Sequence, residues 1–190
     1  MKPTSSVVNI MVDAEYDGPA PGTDLYSLVS FGAVVVKENV ERTYQNVFYG
    51  QTRPISDRWD PRALAISGHT REEHLGFPDP EETFRSFRKW IEQFKARPVF
   101  VSDNPAADWQ WINHYFIRYF GLNGNPFGHS GRRVSDFYAG IKGDWRQTSG
   151  WKKHRRTIHT HNPVDDAIGN VEALVHLAKK YNVTGVLYTG

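Results

Sequence analysis

The stretch Val7-Val8-Asn9-Ile10-Met11-Val12, followed by Asp13-Ala14-Glu15, is the part of the sequence that decides the fold. Its first six residues are mostly apolar and include several β-branched side chains, which is typical of a strand buried on both faces of a sheet. We therefore expect a central strand here. Because side chains alternate along a strand, Asp13 and Glu15 should project from the same face where this strand ends. Their two carboxylates can then bind one cation together.

Strand and helix patterns alternate in the rest of the chain. We predict strands over Ser27 to Lys37, Arg42 to Gly50 and Pro98 to Ser102, with the first two joined as a hairpin. We predict helices over Glu81 to Phe94, from Asn104-Pro105 to about Tyr119, and from Asn162-Pro163 to about Tyr181, with a helical turn at Pro61 to Ala65 and a short strand and helix around Val134 to Ile141. This alternation predicts an α/β fold, a sheet flanked by helices.

Composition indicates one ordinary domain over residues 1–190. With 190 residues, of which 39% are hydrophobic, the chain can form a hydrophobic core without disulfides. Its formal net charge is only +2. Cysteine is absent, which excludes disulfides, thiolate metal sites and a cysteine nucleophile. The first six residues lead into a strand-like run that is too short for a signal peptide or a membrane span. We expect a cytoplasmic protein with no membrane partner.

Two further acidic residues are predicted at the same rim of the sheet as Asp13 and Glu15. Asp108 and Asp166 each fall in the first turn of a helix that opens with Asn-Pro, and helix N-termini that follow strands gather at one rim of an α/β sheet. Four carboxylates repel one another unless cations are bound. Oxygen ligands without cysteine favour two Mg²⁺ or Mn²⁺ ions, which suit phosphodiester hydrolysis.

The same short patterns occur a second time, so position must decide between them. Asp79-Pro80-Glu81 repeats the acidic triplet, and His74 with Asp79 repeats the spacing of His161 and Asp166. We interpret Asp79 and Glu81 as a helix cap and first-turn charge, because Pro80 favours a helix start.

Hydrolysis also needs a proton acceptor for the attacking water. His161 lies just before the last helix, and an ordinary histidine pKa near 6.5 suits this role at neutral pH. His159 is the alternative. We prefer His161, because its spacing to Asp166 lets both side chains reach one centre.

The order of these groups resembles the DEDDh branch of the DEDD 3'-5' exonucleases, which includes RNase T and oligoribonuclease. The segments that carry the resemblance are Asp13-Ala14-Glu15, the Ser27 strand, Ala63-Leu-Ala-Ile-Ser-Gly-His-Thr-Arg-Glu-Glu, and His161-Asn-Pro-Val-Asp-Asp-Ala. The resemblance implies an RNase H-like fold with a five-stranded mixed sheet. It also implies that Asp13, Glu15, Asp108 and Asp166 are the metal ligands and that His161 is the general base. Tyr16 stands where family members commonly have threonine.

The resemblance further implies a substrate, single-stranded RNA or DNA cut from its 3' end. Similarity in length and segment pattern to RNase T and oligoribonuclease favours RNA or short oligonucleotides, and it also implies homodimerisation. The substrate-binding candidates are Tyr16, Phe31, Trp151, Lys152, Lys153 and Arg155, because they lie near the first motif or within a basic run that can neutralise phosphates. Trp145, in the same irregular basic stretch as Trp151, is a further stacking candidate. The alternatives are a catalytically silent nucleic-acid-binding module of the same fold and a hydrolase of small nucleotides.

Overall fold

A computed structural model describes residues 6–189 of the chain, and the remaining terminal residues lie outside the described part. The strands are β1 (Val7–Tyr16), β2 (Leu28–Val35), β3 (Val47–Gln51), β4 (Arg97–Ser102) and β5 (Gly131–Arg133). The helices are α1 (Pro61–Ile66), α2 (Arg71–Leu75), α3 (Pro80–Glu92), α4 (Pro105–Phe120), α5 (Val134–Lys142) and α6 (Pro163–Lys180), with a 3₁₀ turn at Lys152–His154. Among these helices none is long and apolar enough to cross a membrane.

The strands form one five-stranded sheet in the order β3-β2-β1-β4-β5. The hairpin partners β2 and β3 are antiparallel, as are β1 and β2. The pairs β1 with β4 and β4 with β5 are parallel. The prediction of an α/β fold with a five-stranded mixed sheet flanked by helices is therefore confirmed.

The central strand β1 is covered on both faces, as its apolar run predicts. Val8, Ile10 and Val12 face an aromatic core that α3 and α4 complete with Phe84, Phe87 and Tyr115. Met11 faces the opposite layer, where α6 supplies Ile168, Val171 and Leu174. Each completely buried aromatic side chain in such a core contributes several kcal/mol, and truncating one to alanine costs about 3–5 kcal/mol.

The helix-start residues explain where most helices begin. The side chains of Asp79 and Asn162 accept backbone N–H groups in the first turns of α3 and α6, and proline follows each of them. The interpretation of Asp79 as a helix cap is thus confirmed. Asn104 occupies the same position before α4, but its side chain makes no capping hydrogen bond.

The observed elements differ from the predicted ones in two places that matter. β1 continues through Tyr16, so Asp13 and Glu15 lie inside the strand instead of following it. The helix α2 was not predicted, although Thr70 and Glu73 form a capping box that marks its start.

Candidate active site

The two strands beside β1 end at different levels, and this difference opens the site. Pairing of β1 with β4 stops at Met11, whereas pairing with β2 continues to Tyr16. Asp13 and Glu15 therefore lie on a part of β1 that has a strand on only one side. α4 begins just beyond the end of β4 and places Asp108 in its first turn, next to this open edge.

The start of α6 reaches the same place because β2 has a glycine there. Gly32 pairs with Asp13 in the sheet, and a Cβ atom at Gly32 would lie only 2.4 Å from the Pro163 carbonyl oxygen. Only a residue without a side chain allows this close approach of helix and sheet. The contact brings buried Asp166, in the first turn of α6, over β1.

The carboxylates converge as a result. Oxygen atoms of Asp13, Glu15 and Asp166 all lie within 4.8 Å of one another. Asp108 lines the same cleft, a cavity of about 240 Å³. Its walls are formed by Asp13, Ala14, Glu15, Tyr16, Ala63, Ile66, Asp103, Asn104, Ala107, Asp108, His159 and His161.

Burial and the charges of neighbouring carboxylates raise the pKa values of Glu15, Asp108 and Asp13. Burial, together with the charges of Asp166 and Asp108, raises the pKa of Glu15 to about 8. Burial raises the pKa of Asp108 to about 7, although hydrogen bonds to its carboxylate act in the opposite direction. Burial and the three neighbouring carboxylates also raise the pKa of Asp13 well above its ordinary value. A bound cation would remove this penalty.

Two histidines lie at the mouth of the cleft. The His159 Nδ1 atom is 2.8 Å from an Asp166 carboxylate oxygen, and the His161 Nδ1 atom is 3.7 Å from a Glu15 oxygen. Their ring centres are 4.4 Å apart, and both side chains are about half exposed. The structure thus brings both candidate bases to the carboxylates.

The loop that carries the histidines is bound along α6. The backbone N–H groups of Thr160 and His161 donate to the two Asp166 oxygens at 3.0 Å. Farther back, the N–H groups of Arg156 and Thr157 donate to one Glu172 oxygen at 2.7 and 2.8 Å. These bonds determine where the histidine rings lie. No sequence signal pointed to this role of Glu172, because the contact depends on how the loop folds back onto α6.

The structure contradicts two of the predicted substrate contacts. Phe31 and Trp151 are completely buried, so neither ring can stack on a base. Phe31 packs against Phe84 and Phe87 in the core between the sheet and α3. The Trp151 indole N–H donates to the Thr148 carbonyl.

The other predicted contacts are placed differently from one another. Tyr16 lines the cleft and stacks on buried Trp111, with ring centres 5.0 Å apart. Lys152 forms an ion pair of 2.6 Å with Asp103 at the cleft wall, and Lys153 is exposed. Arg155 donates to Asn170 and lies near enough to Asp13 to oppose the rise of the pKa of that carboxyl. Trp145 is 78% exposed.

Several residues of the cleft wall were not among the predicted site residues. Ala63 and Ile66 come from α1, and Asn104 precedes α4. The similarity of the Ala63 segment to the exonuclease family was the available signal for the first two. Nothing in the spacing indicated Asn104, which the sequence marks only as the start of a helix.

The mixed sheet and the four acidic residues at its rim define an RNase H-like nuclease, and comparison with known proteins identifies the family. No protein-family model matches the chain. Over 150 residues it is 33% identical to the 3'-5' DNA exonuclease Cap18 of Escherichia coli, which covers 76% of this chain and 75% of the relative. The chain therefore belongs to the DEDDh family of 3'-5' exonucleases and is an exonuclease that acts on nucleic acid.

Solved structures of the same fold agree with this assignment. The nuclease domain of 3'hExo, a DEDDh family member bound to rAMP, superimposes with a TM-score of 0.72 at 13% identity, covering 100% of this chain and 98% of that one. Exonuclease X in complex with 5' overhanging duplex DNA has a TM-score of 0.62 at 15% identity, covering 95% and 96%. The resemblance stated from the sequence motifs is confirmed.

Proposed function

We propose that this chain is a metal-dependent exonuclease that removes nucleotides one at a time from the 3' end of single-stranded DNA and releases 5'-monophosphates. The observation that carries the proposal is the convergence of Asp13, Glu15 and Asp166 within 4.8 Å, with Asp108 in the same cleft. The resemblance to the DEDDh family implies that these four carboxylates bind the catalytic metal ions.

The residues present fit a pair of hard divalent cations. All four groups offer oxygen atoms, which Mg²⁺ and Mn²⁺ prefer, and three of them carry pKa values raised by burial and mutual repulsion. Asp13, Glu15, Asp108 and Asp166 would hold the ions. Two divalent ions bound there would polarise the scissile phosphate and stabilise the charge that develops on the attacking and leaving oxygens.

His161 is assigned the role of general base. Its side chain lines the cleft, is half exposed and faces Glu15, so it can reach water that enters beside the carboxylates. The Nδ1 atom of His159 already lies within hydrogen-bond distance of Asp166. His161 would take the proton of the attacking water and later release it to solvent.

The cleft is suited to one terminal nucleoside. Its volume of about 240 Å³ is below the usual range of pockets for drug-sized ligands. The half-buried Tyr16 ring and the Ile66 side chain offer apolar surface to a base or a sugar, and Lys152 and Lys153 provide positive charge on an adjoining segment for backbone phosphates. A single strand can therefore place its 3' end in this cleft with little sequence preference.

The preference for DNA over RNA rests on the relative named above. Cap18 is described as a DNA exonuclease and is 33% identical to this chain, which outweighs the similarity in length to RNA-degrading members of the family. Cytoplasmic location and homodimerisation remain predictions. Size-exclusion chromatography with light scattering tests the second of these.

Matched DNA and RNA strands of identical sequence, labelled at the 5' end, test the proposal. With Mg²⁺ or Mn²⁺ we expect a descending ladder that is faster for DNA, and no cleavage in EDTA. Asp13→Asn should abolish the ladder, while Asp24→Asn, at an exposed site, should leave it intact. Equal cleavage by Asp13→Asn would contradict the ligand set, and faster RNA cleavage would contradict only the sugar preference.

A further inference from the structure

His159 has no task in the mechanism proposed above, yet it is held against a metal-binding carboxylate. Its Nδ1 atom is 2.8 Å from Asp166. Ligand atoms of His159, His161 and Asp166 all lie within 4.8 Å of one another. This group shares Asp166 with the carboxylate cluster formed by Asp13 and Glu15. Asp166 therefore belongs to two possible metal-binding groups, one with two histidines and one with two carboxylates.

The backbone of the loop creates this arrangement. His161 has a φ of 60°, a left-handed conformation that is uncommon for a residue with a side chain. The Thr160 and His161 N–H groups donate to Asp166, which holds the turn in this form. The rings of His159 and His161 come to lie 4.4 Å apart at an interplanar angle of 64°. Both rings thereby lie close to the Asp166 carboxylate.

Two imidazoles and one carboxylate are a donor set for zinc, unlike the oxygen donors of the neighbouring cluster. Zn²⁺ binds histidine nitrogen at about 2.0–2.1 Å, and three protein ligands with one open position are common around it. Tetrahedral bonds of that length separate ligand atoms by about 3.4 Å. Atoms that now span up to 4.8 Å reach this spacing through a small movement of the two half-exposed rings.

We propose that His159, His161 and Asp166 form an inhibitory zinc site at the mouth of the active cleft. A zinc ion there takes the nitrogen lone pair of the general base and one carboxylate needed by the catalytic ions. The binding of zinc follows from the donor set alone, whereas its inhibitory effect rests on the function proposed above. Zinc affinity of mixed nitrogen and oxygen sites exceeds that for Mn²⁺, so Zn²⁺ can act in the presence of an excess of the catalytic metal.

Zinc binding is tested without substrate. The metal-free chain is titrated with Zn²⁺ against a chromophoric zinc chelator, and Co²⁺ is added separately as a spectroscopic substitute. We expect one site that is tighter than the carboxylate cluster, the intense visible absorption of four- or five-coordinate Co²⁺, and a loss of affinity at this site of at least about tenfold in His159→Gln and His159→Ala. His129→Ala, at an exposed histidine, should bind like the wild type. Equal affinity in the His159 variants, or only the weak absorption of octahedral Co²⁺, would overturn the proposal.

Inhibition is tested separately at a fixed Mg²⁺ concentration. Each variant is compared with its own zinc-free rate, and we expect the zinc concentration for half inhibition to rise at least about tenfold in His159→Gln. Equal sensitivity to zinc would mean that the ion acts at the carboxylates instead, which overturns the inhibitory role. Asp13→Asn is expected to bind zinc while having no nuclease activity. If the wild type binds zinc but cleaves no nucleic acid, the proposed function fails and the zinc site remains.

Discussion

Replacing Glu15 by glutamine keeps the size and shape of the side chain but removes its ionisable carboxyl group from the buried cluster. In the folded chain, burial and the charges of Asp166 and Asp108 raise the pKa of Glu15 from 4.5 to about 8. In the unfolded chain the same group ionises near its ordinary pKa. At pH 7 the folded protein must therefore keep a proton on Glu15 that the unfolded chain would release.

The size of this penalty follows from the difference between the two pKa values. At pH 7 the gap to the ordinary pKa of 4.5 corresponds to at most about 3.5 kcal/mol, at about 1.4 kcal/mol for each pKa unit. Because the pKa is raised on folding, the folded state binds more protons than the unfolded state between pH 4.5 and about 8. Stability is therefore retained below pH 4.5 and lost as the pH rises toward 8. Glu15→Gln should remove this loss.

Urea unfolding in EDTA, followed by tryptophan fluorescence between pH 5 and 9, measures the effect. We expect Glu15→Gln to be more stable than the wild type, with a difference that grows with pH and reaches at most about 3.5 kcal/mol at pH 7. Saturating Mg²⁺ should stabilise the wild type more than the variant, because the cation offsets the same repulsion. Glu92→Gln, in an exposed pair with Arg88, is the control and should change stability by less than about 0.5 kcal/mol. A Glu15→Gln variant that is less stable in EDTA at pH 7, or a difference independent of pH, would refute the reasoning.

Three other predictions follow from the site. His161→Ala should lower kcat by about 10²- to 10⁴-fold if His161 is the general base, while His159→Ala should lower it less; steady-state kinetics with the reverse ranking would exchange their roles. Gly32→Ala should separate α6 from the sheet, because its Cβ would lie 2.4 Å from the Pro163 carbonyl oxygen. We expect the free energy of unfolding in urea to fall by several kcal/mol and Mn²⁺ binding to weaken. An unchanged Mn²⁺ affinity would contradict the positioning of Asp166 by this contact. The double variant Lys152→Ala with Lys153→Ala should raise KM for a long single strand and make that KM less dependent on salt concentration. Cleavage of a dinucleotide should be nearly unaffected. An equal loss on both substrates would contradict a role of these lysines in phosphate binding.

Much of the fold could be predicted because its signals are local. The apolar run of β1 and the proline-marked starts of α4 and α6 depend on neighbouring residues, and the structure contains each of these elements. Helix α2 was missed because five residues give no apolar period to detect. Its capping box, Thr70 with Glu73, would have been the only local signal.

Predictions about single side chains were less successful where packing decides. Phe31 and Trp151 were expected at the substrate, but both are completely buried. A residue near a motif along the chain can face either side of the sheet, and only the strand register decides which. Phe31 pairs with Ala14, which points into the aromatic core and away from the face of Asp13 and Glu15.

The sequence by itself determined which chemical groups are available, in what order, and on which kinds of element they lie. The tertiary structure decided which of these groups meet. Asp166 reaches Asp13 because α6 lies directly on Gly32, and His159 reaches Asp166 because the loop before α6 is held by Glu172 and by Asp166 itself. Local propensities act over a few residues, whereas these contacts join distant segments through close packing and buried hydrogen bonds, which no short stretch of sequence encodes.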